Sequence, residues 1–167
     1  MKYLLLCLLQ LSVISVLAQN PTALPCTTPE ASQFDFWIGS WTATWADTLH
    51  GTNTIEKKFG NCTVHENFYD PNNNYHGESW SVYNPASKLW NQTWVDDQGG
   101  YIALTGGMEN GKMILKTAER QTPKGKQQMR MVYYNIQPDA FDWSWEASTD
   151  GGNTWKPSWQ IHYTRKK

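Results

Sequence analysis

The 167-residue sequence predicts an all-β fold, an up-and-down antiparallel β-barrel of about ten strands. Three observations carry the prediction. Side chains alternate in character with a period of two, as in Trp41-Thr42-Ala43-Thr44-Trp45. Clusters of Gly, Pro, Asn and Asp interrupt the alternation roughly every eight to fourteen residues, the spacing of an all-β sandwich or barrel. The interruptions are of hairpin length and no amphipathic helical window separates them, so each strand neighbours the one before it. A meander of about ten strands hides its edges best by closing, and a barrel of that size encloses more space than its own side chains fill.

Taken in order, the aromatic stretch Phe34-Asp35-Phe36-Trp37-Ile38 reads as a turn or 3₁₀ plug, and Gly39 marks the bend into the first strand. Trp41–Asp47 is that strand, followed by a turn at Leu49-His50-Gly51 and strands Thr52–Phe59 and Cys62–Tyr69. Asp70-Pro71-Asn72-Asn73-Asn74 is a strong turn before Gly77–Tyr83; Asn84-Pro85 then separates that strand from Lys88–Val95. Tyr101–Thr105 and Lys112–Ala118 follow, with Gly106-Gly107 and Asn110-Gly111 bracketing the turn between them. Gln127–Ile136, Phe141–Ser148 and Pro157–Arg165 complete the set.

The chain divides into a leader and one domain. Met1–Ala18 has the form of a secretory signal: Lys2 is the basic end, Leu4 to Leu17 is apolar, and Val16-Leu17-Ala18 fits the small-residue cleavage rule. Residues 19–33 form a Pro- and Thr-rich leader and 34–167 the barrel. A secreted or periplasmic protein without stable membrane insertion is expected, because the apolar stretch is too short for an anchor. Cys7 lies inside the signal but lacks the small preceding residue that lipidation would want. The remaining cysteines, Cys26 and Cys62, suggest one disulfide in an exported chain, with two free thiols as the alternative. With 14 Lys and Arg against 15 Asp and Glu and no basic cluster, a nucleic-acid partner is not expected. The oligomeric state is open. The dominant compositional signal is 10 Trp, 8 Tyr and 5 Phe, which serve either as bulky core or as the walls of a cavity.

Strand parity sorts the candidates for those walls. Phe141, Trp143 and Trp145 share one face of their strand; Trp159, Ile161, Tyr163 and Arg165 share one face of the last, with His162 opposite. On the third strand Glu66 aligns with Cys62, Val64 and Phe68, and a lone inward carboxyl is costly unless paired. Arg130, on a face with Val132 and Tyr134, is the natural partner across the barrel. The alternative turns Met129, Met131 and Tyr133 inward and leaves Arg130 in solvent. Trp90, Gln92, Trp94 and Asp96 share a face that suits a ligand site, since a buried Gln amide wants partners, with Ser79, Ser81 and Tyr83 as neighbours. The alternative puts Leu89 and Val95 inside. The ligand-binding candidates are therefore Glu66, Gln92, Trp94, Arg130, Tyr134, Trp143 and Trp145.

Gly39-Ser40-Trp41 at the first strand, with Arg165 ending the last, resembles the signature of lipocalins and the wider calycin group. With Gly60-Asn61-Cys62, Trp90-Asn91-Gln92-Thr93-Trp94-Val95-Asp96, Ser148 to Trp155 and Tyr163-Thr164-Arg165, the pattern is similar to a bacterial family of exported lipocalin-like domains of largely unassigned function. The resemblance implies that Trp41 and Arg165 pack together to close the barrel, a guanidinium-over-indole contact of about 0.5–2 kcal/mol. It supplies no reaction. Ser148-Thr149-Asp150-Gly151-Gly152-Asn153-Thr154-Trp155 also resembles the Asp-box turn of sialidase propellers; occurring once, between two strands, it reads as a structural hairpin device.

Neither metal nor cofactor is expected. His50, His65, His76 and His162 show no ligand spacing, and His162, which the haem-binding calycins would suggest as an axial ligand, lies on the face opposite Trp159 and Ile161. No nucleophile elbow is present. These residues favour a secreted protein binding a small amphipathic or aromatic molecule in the barrel. The alternatives are a barrel enzyme (isomerase, cyclase or hydrolase type) with Glu66 as catalytic acid or base, and a surface interaction protein whose surplus Trp faces outward.

Overall fold

The computed structural model describes residues 26–123 and 125–167. The expected signal Met1–Ala18 and the first part of the 19–33 leader lie outside the described residues. Two single-turn 3₁₀ segments, Glu30–Ser32 and Asp35–Trp37, precede eleven strands. These are β1 (Gly39–Trp45), β2 (Leu49–Lys58), β3 (Thr63–Asp70), β4 (Tyr75–Asn84), β5 (Leu89–Asp96), β6 (Tyr101–Glu109), β7 (Lys112–Lys116), β8 (Arg120–Thr122), β9 (Gly125–Gln137), β10 (Ala140–Ser148) and β11 (Lys156–Arg165).

Ten of the strands form a closed antiparallel barrel in the order β10-β11-β1-β2-β3-β4-β5-β6-β7-β9, and β9 pairs with β10 to complete the ring. The short β8 pairs with the start of β9 and stands off the wall as a flap. It is an addition to the expected set: Arg120-Gln121-Thr122 is too short to show an alternation. Two turns also sit differently. The chain reverses at Ala46 and Asp47, both with positive φ, so Leu49-His50-Gly51 belongs to β2. Gly106 and Gly107 lie inside β6 rather than in a turn, because a side-chain carbon at Gly106 would stand 1.9 Å from the Ile114 carbonyl oxygen of β7. There glycine serves close strand approach instead of chain reversal.

The seam between first and last strands is closed by Arg165. Trp41 faces Arg165 across β1 and β11, and the guanidinium lies over the indole at 4.1 Å from the ring centroid. Arg165 also donates Nε to Pro138 O at 2.9 Å, Nη1 to Ile38 O at 2.9 Å and Nη2 to Phe36 O at 3.4 Å. Gly39, at φ +134°, leaves the room for it: a Cβ there would meet Arg165 Nη1 at 2.3 Å.

The Asp35–Trp37 turn enters the barrel at this end. Phe34 and Trp37 are fully buried, Phe34 sitting edge-on to Trp90 at 4.8 Å and to Tyr133 at 5.6 Å, while Trp41 Nε1 donates to Trp37 O at 2.8 Å. Cys26 and Cys62 form a disulfide across a sequence separation of 36, which ties the segment leading into the plug to the turn between β2 and β3. A loop of that length corresponds to about 3–4 kcal/mol in the chain-entropy account. The plug thus fills one half of the barrel and leaves the other half hollow.

Candidate functional site

Along each strand every second residue points inward, and at the unplugged end those residues are rings. Phe68 closes β3, Tyr75 opens β4, Trp94 lies near the end of β5, Trp145 near the end of β10, and Trp159 near the start of β11. They surround a cavity of about 220 Å³ whose inner end is formed by Trp37, Tyr133 and Tyr163. The rings hold one another largely edge to face: Trp143 on Trp159 at 5.5 Å, Phe68 on Trp159 at 6.0 Å, Trp45 on Trp159 at 5.8 Å. Such contacts add about 0.5–1.5 kcal/mol per pair beyond burial and fix the ring planes before anything binds.

The rim is set by Asp96. One carboxylate oxygen, Oδ2, accepts from Tyr75 Oη at 3.0 Å and Trp94 Nε1 at 3.1 Å. The other, Oδ1, accepts the backbone N–H of Gln98 at 3.0 Å and of Gly100 at 2.7 Å. One side chain therefore shapes the β5–β6 turn and orients two cavity rings. Partial burial works to raise its pKa, but these hydrogen bonds outweigh it and hold Asp96 below the usual carboxylate range. Burial, and then the neighbouring carboxylate, push Tyr75 up to about 12.

Glu66 sits among the inner residues, 6% exposed. Its partners come from the two adjacent strands: Asn53 Nδ2 of β2 donates to Oε1 at 2.7 Å, and Ser79 Oγ of β4 donates to Oε2 at 2.6 Å. Gln92 Nε2 of β5 supports Ser79 Oγ at 3.1 Å, so four consecutive strands contribute to one polar row. Among the described residues, no lysine, arginine or histidine lines the cavity. Burial pushes the Glu66 carboxyl up to about 7, against the lowering effect of Ser79 and Asn53. Tyr133 and Tyr163 are both raised, first by burial and then by the charge of Glu66. Of the buried polar atoms nearby, Asn53 Oδ1, Gln92 Oε1, Ser81 Oγ and Trp37 Nε1 have no hydrogen-bond partner among the described residues.

The candidates divide between the two faces of the wall. Glu66, Trp94, Trp143 and Trp145 line the cavity, and Gln92 lies behind it, 2% exposed. Arg130 and Tyr134 stand on the outside, so the Glu66–Arg130 pair does not form. Arg130 lies opposite Glu146 of β10 and contacts its Oε2 through Nε and Nη2, each at 2.6 Å, while the Trp155 ring covers the guanidinium at 4.1 Å. A cation paired and stacked at the surface avoids the desolvation that an inward position would cost. Tyr134 accepts a weak contact from Gln160 Nε2 at 3.4 Å and has Lys112 over its ring. β9 carries apolar residues on both faces, with Met131 and Tyr133 inside and Val132 buried outside against Ile114. Alternation along that strand is therefore blind to direction.

His162 is exposed and its Nδ1 lies 2.7 Å from Asp142 Oδ1 on the outer wall. His65 stacks on Trp80 and contacts Glu78, also outside. The Asp-box loop is built as a hairpin device: Asp150 Oδ1 accepts Ser148 Oγ at 2.7 Å and Thr154 N at 2.9 Å, and this loop places Trp155 over Arg130. Sequence reasoning missed Asn53 and Tyr75. Asn53 sits in a stretch rich in Thr and Asn whose parity carries no apolar contrast, and Tyr75 was hidden in the Asn-rich turn before β4. Comparison with protein-family models and with curated proteins finds no match.

Proposed function

We propose that this chain is an exported binding protein that holds a small amphipathic or aromatic molecule in the barrel cavity. The observation that carries the reading is the hollow half-barrel itself: about 220 Å³, walled by rings locked against one another, with Glu66 the one carboxyl lining it among the described residues. Ligand pockets for drug-sized molecules run to roughly 300–1,000 Å³, so the occupant is small, on the scale of one aromatic ring with a short chain. The Cys26–Cys62 disulfide suits an oxidising compartment and agrees with the signal-like Met1–Ala18. No helix among the described residues is long and apolar enough to cross a membrane. The lipocalin-like kinship belongs to the same proposal; its support is the closed ten-stranded wall and the Gly39-Trp41-Arg165 seam.

The test is a titration of intrinsic Trp emission with indole, 2-phenylethanol and 1-pentanol. A saturable change with at least one of them is expected, weakened at least tenfold by Ile102→Trp, which fills the cavity from β6. No saturable response to any probe would overturn the reading.

A second reading, a barrel enzyme, is favoured by one observation: a buried carboxyl pushed up to about 7 beside two phenols is suited to general acid–base work. Glu66→Gln would then abolish turnover while retaining affinity for neutral ligands. Turnover unchanged by that substitution would remove Glu66 from the chemistry.

A further inference from the structure

We infer that the cavity's ligand is an organic cation, a small protonated amine with an aromatic body, its ammonium group seated on Glu66 and its body enclosed by Phe68, Tyr75, Trp94, Trp143, Trp145 and Trp159. This rests on the binding role proposed above and names the chemical class for it.

Three independent features lead there. The first is charge. Among the described residues the cavity lining holds one acid and no base, and the side chains that bond Glu66 from neighbouring elements, Asn53 of β2 and Ser79 of β4, are uncharged, as is Tyr163 of β11 beyond Asn53. A buried carboxylate with no counter-charge is costly, so this group is completed either by a proton or by a guest cation. Lys57, on the inward-parity side of β2, is already paired with Asp35 at 2.6 Å, and Arg165 is held by three backbone carbonyls.

The second feature is the wall. Aromatic rings surround the cavity on several sides, and a ring face, negative at its centre, attracts an ammonium group by about 0.5–2 kcal/mol as the site dries. An apolar body of aliphatic type would be served as well by Leu or Val, which are scarce in this lining, where Ile102 and Ile161 are the aliphatic residues. Asp96, held below the usual carboxylate range and bonded to the cavity residues Tyr75 and Trp94, adds a second negative charge beside the site.

The third is hydrogen bonding. An ammonium group brings three donors and no acceptor. The acceptors that face the cavity are the Glu66 oxygens; behind them the buried Asn53 Oδ1 and Gln92 Oε1 have no partner among the described residues, though neither residue lines the cavity. A carboxylate guest would meet the reverse, with acceptors facing acceptors and two like charges.

The exchange balances as R–NH₃⁺ plus protonated Glu66 giving the ammonium–carboxylate pair plus one released proton. The remaining titratable groups facing Glu66 from the packed elements are Tyr133 of β9 and Tyr163 of β11, both pushed upward and neutral across the physiological range. His65, adjacent in sequence, points out of the barrel toward Glu78, and its charge is the smallest of the influences on Glu66, a lowering one. The pH step therefore belongs to Glu66.

The experiment compares phenethylamine, 2-phenylethanol and phenylacetate by calorimetry at pH 6 and pH 8 in buffers of different ionisation enthalpy. The amine is expected to bind at least tenfold tighter than the alcohol at pH 8, to lose about tenfold at pH 6, and to release a measurable fraction of a proton at pH 7. Phenylacetate is expected to be weakest. Glu66→Gln should bring the amine down to the alcohol's affinity; if that variant does not fold, the pH series on the natural chain decides. An alcohol as tight as the amine at pH 8, or an amine affinity flat with pH, overturns the cation while leaving the binding role intact. Binding of none of the three, together with silence in the Trp titration, overturns both.

Discussion

At the scale of single residues, Glu66 is the group whose chemistry differs most between folded and unfolded chain. Burial lifts it from its ordinary 4.5 to about 7. Below pH 4.5 it is protonated in both states and imposes no pH-dependent penalty. As pH rises from 4.5 to 7 the unfolded chain loses the proton while the folded chain keeps it, so stability falls, and above 7 the loss is complete. A shift of this size corresponds to a loss on the order of 3 kcal/mol. Glu66→Gln retains an acceptor for Asn53 and removes the titration. Melting temperatures of the natural chain and of Glu66→Gln should therefore diverge between pH 5 and pH 8, the variant becoming the more stable of the two at pH 8. Parallel curves would contradict the buried position of the carboxyl. Glu66 was legible in the sequence because it interrupts the apolar set Val64, Phe68 on a clearly alternating strand. The expected partner Arg130 was misplaced because β9 buries Met131 and Val132 on opposite faces, while the partners that form, Asn53 and Ser79, lie on the adjacent β2 and β4.

Among the elements, the seam of β1 and β11 and the plug beneath it act as one unit. Arg165 stacks on Trp41 and binds carbonyls of Phe36, Ile38 and Pro138, so a single side chain joins the last strand, the plug and the β9–β10 turn. Lysine cannot reproduce this, since one ammonium cannot reach three divergent carbonyls and cover an indole at once. Arg165→Lys should cost about 1–3 kcal/mol, read as a lower midpoint of urea unfolding at an unchanged slope. A midpoint within error of the natural chain would remove Arg165 from the closure. This unit was visible in the sequence through the resemblance of Gly39-x-Trp41 and the final Arg165 to the lipocalin signature. The flap strand β8 and the interior glycines of β6 were not: three polar residues carry no period, and Gly106 looks like a turn until the 1.9 Å approach of Ile114 O explains it.

For the whole molecule, the division of the barrel into a plugged half and a hollow half decides what it can do. Alternation and hairpin spacing were enough to foresee closure, since ten strands joined by short turns have few other ways to protect their edges. How deep the plug reaches depends on the packing of Phe34 and Trp37 against Trp90 and Tyr133, which pairs residues up to a hundred positions apart and leaves no local signature. The central claim is that the hollow half is where a small molecule sits. Indole N–H resonances of a ¹⁵N-labelled chain titrated with phenethylamine test it most directly. Trp94, Trp143, Trp145 and Trp159 should shift and saturate together, while Trp80 and Trp155 on the outer wall stay fixed; shifts confined to Trp80 and Trp155, with the four cavity indoles unmoved, would contradict it.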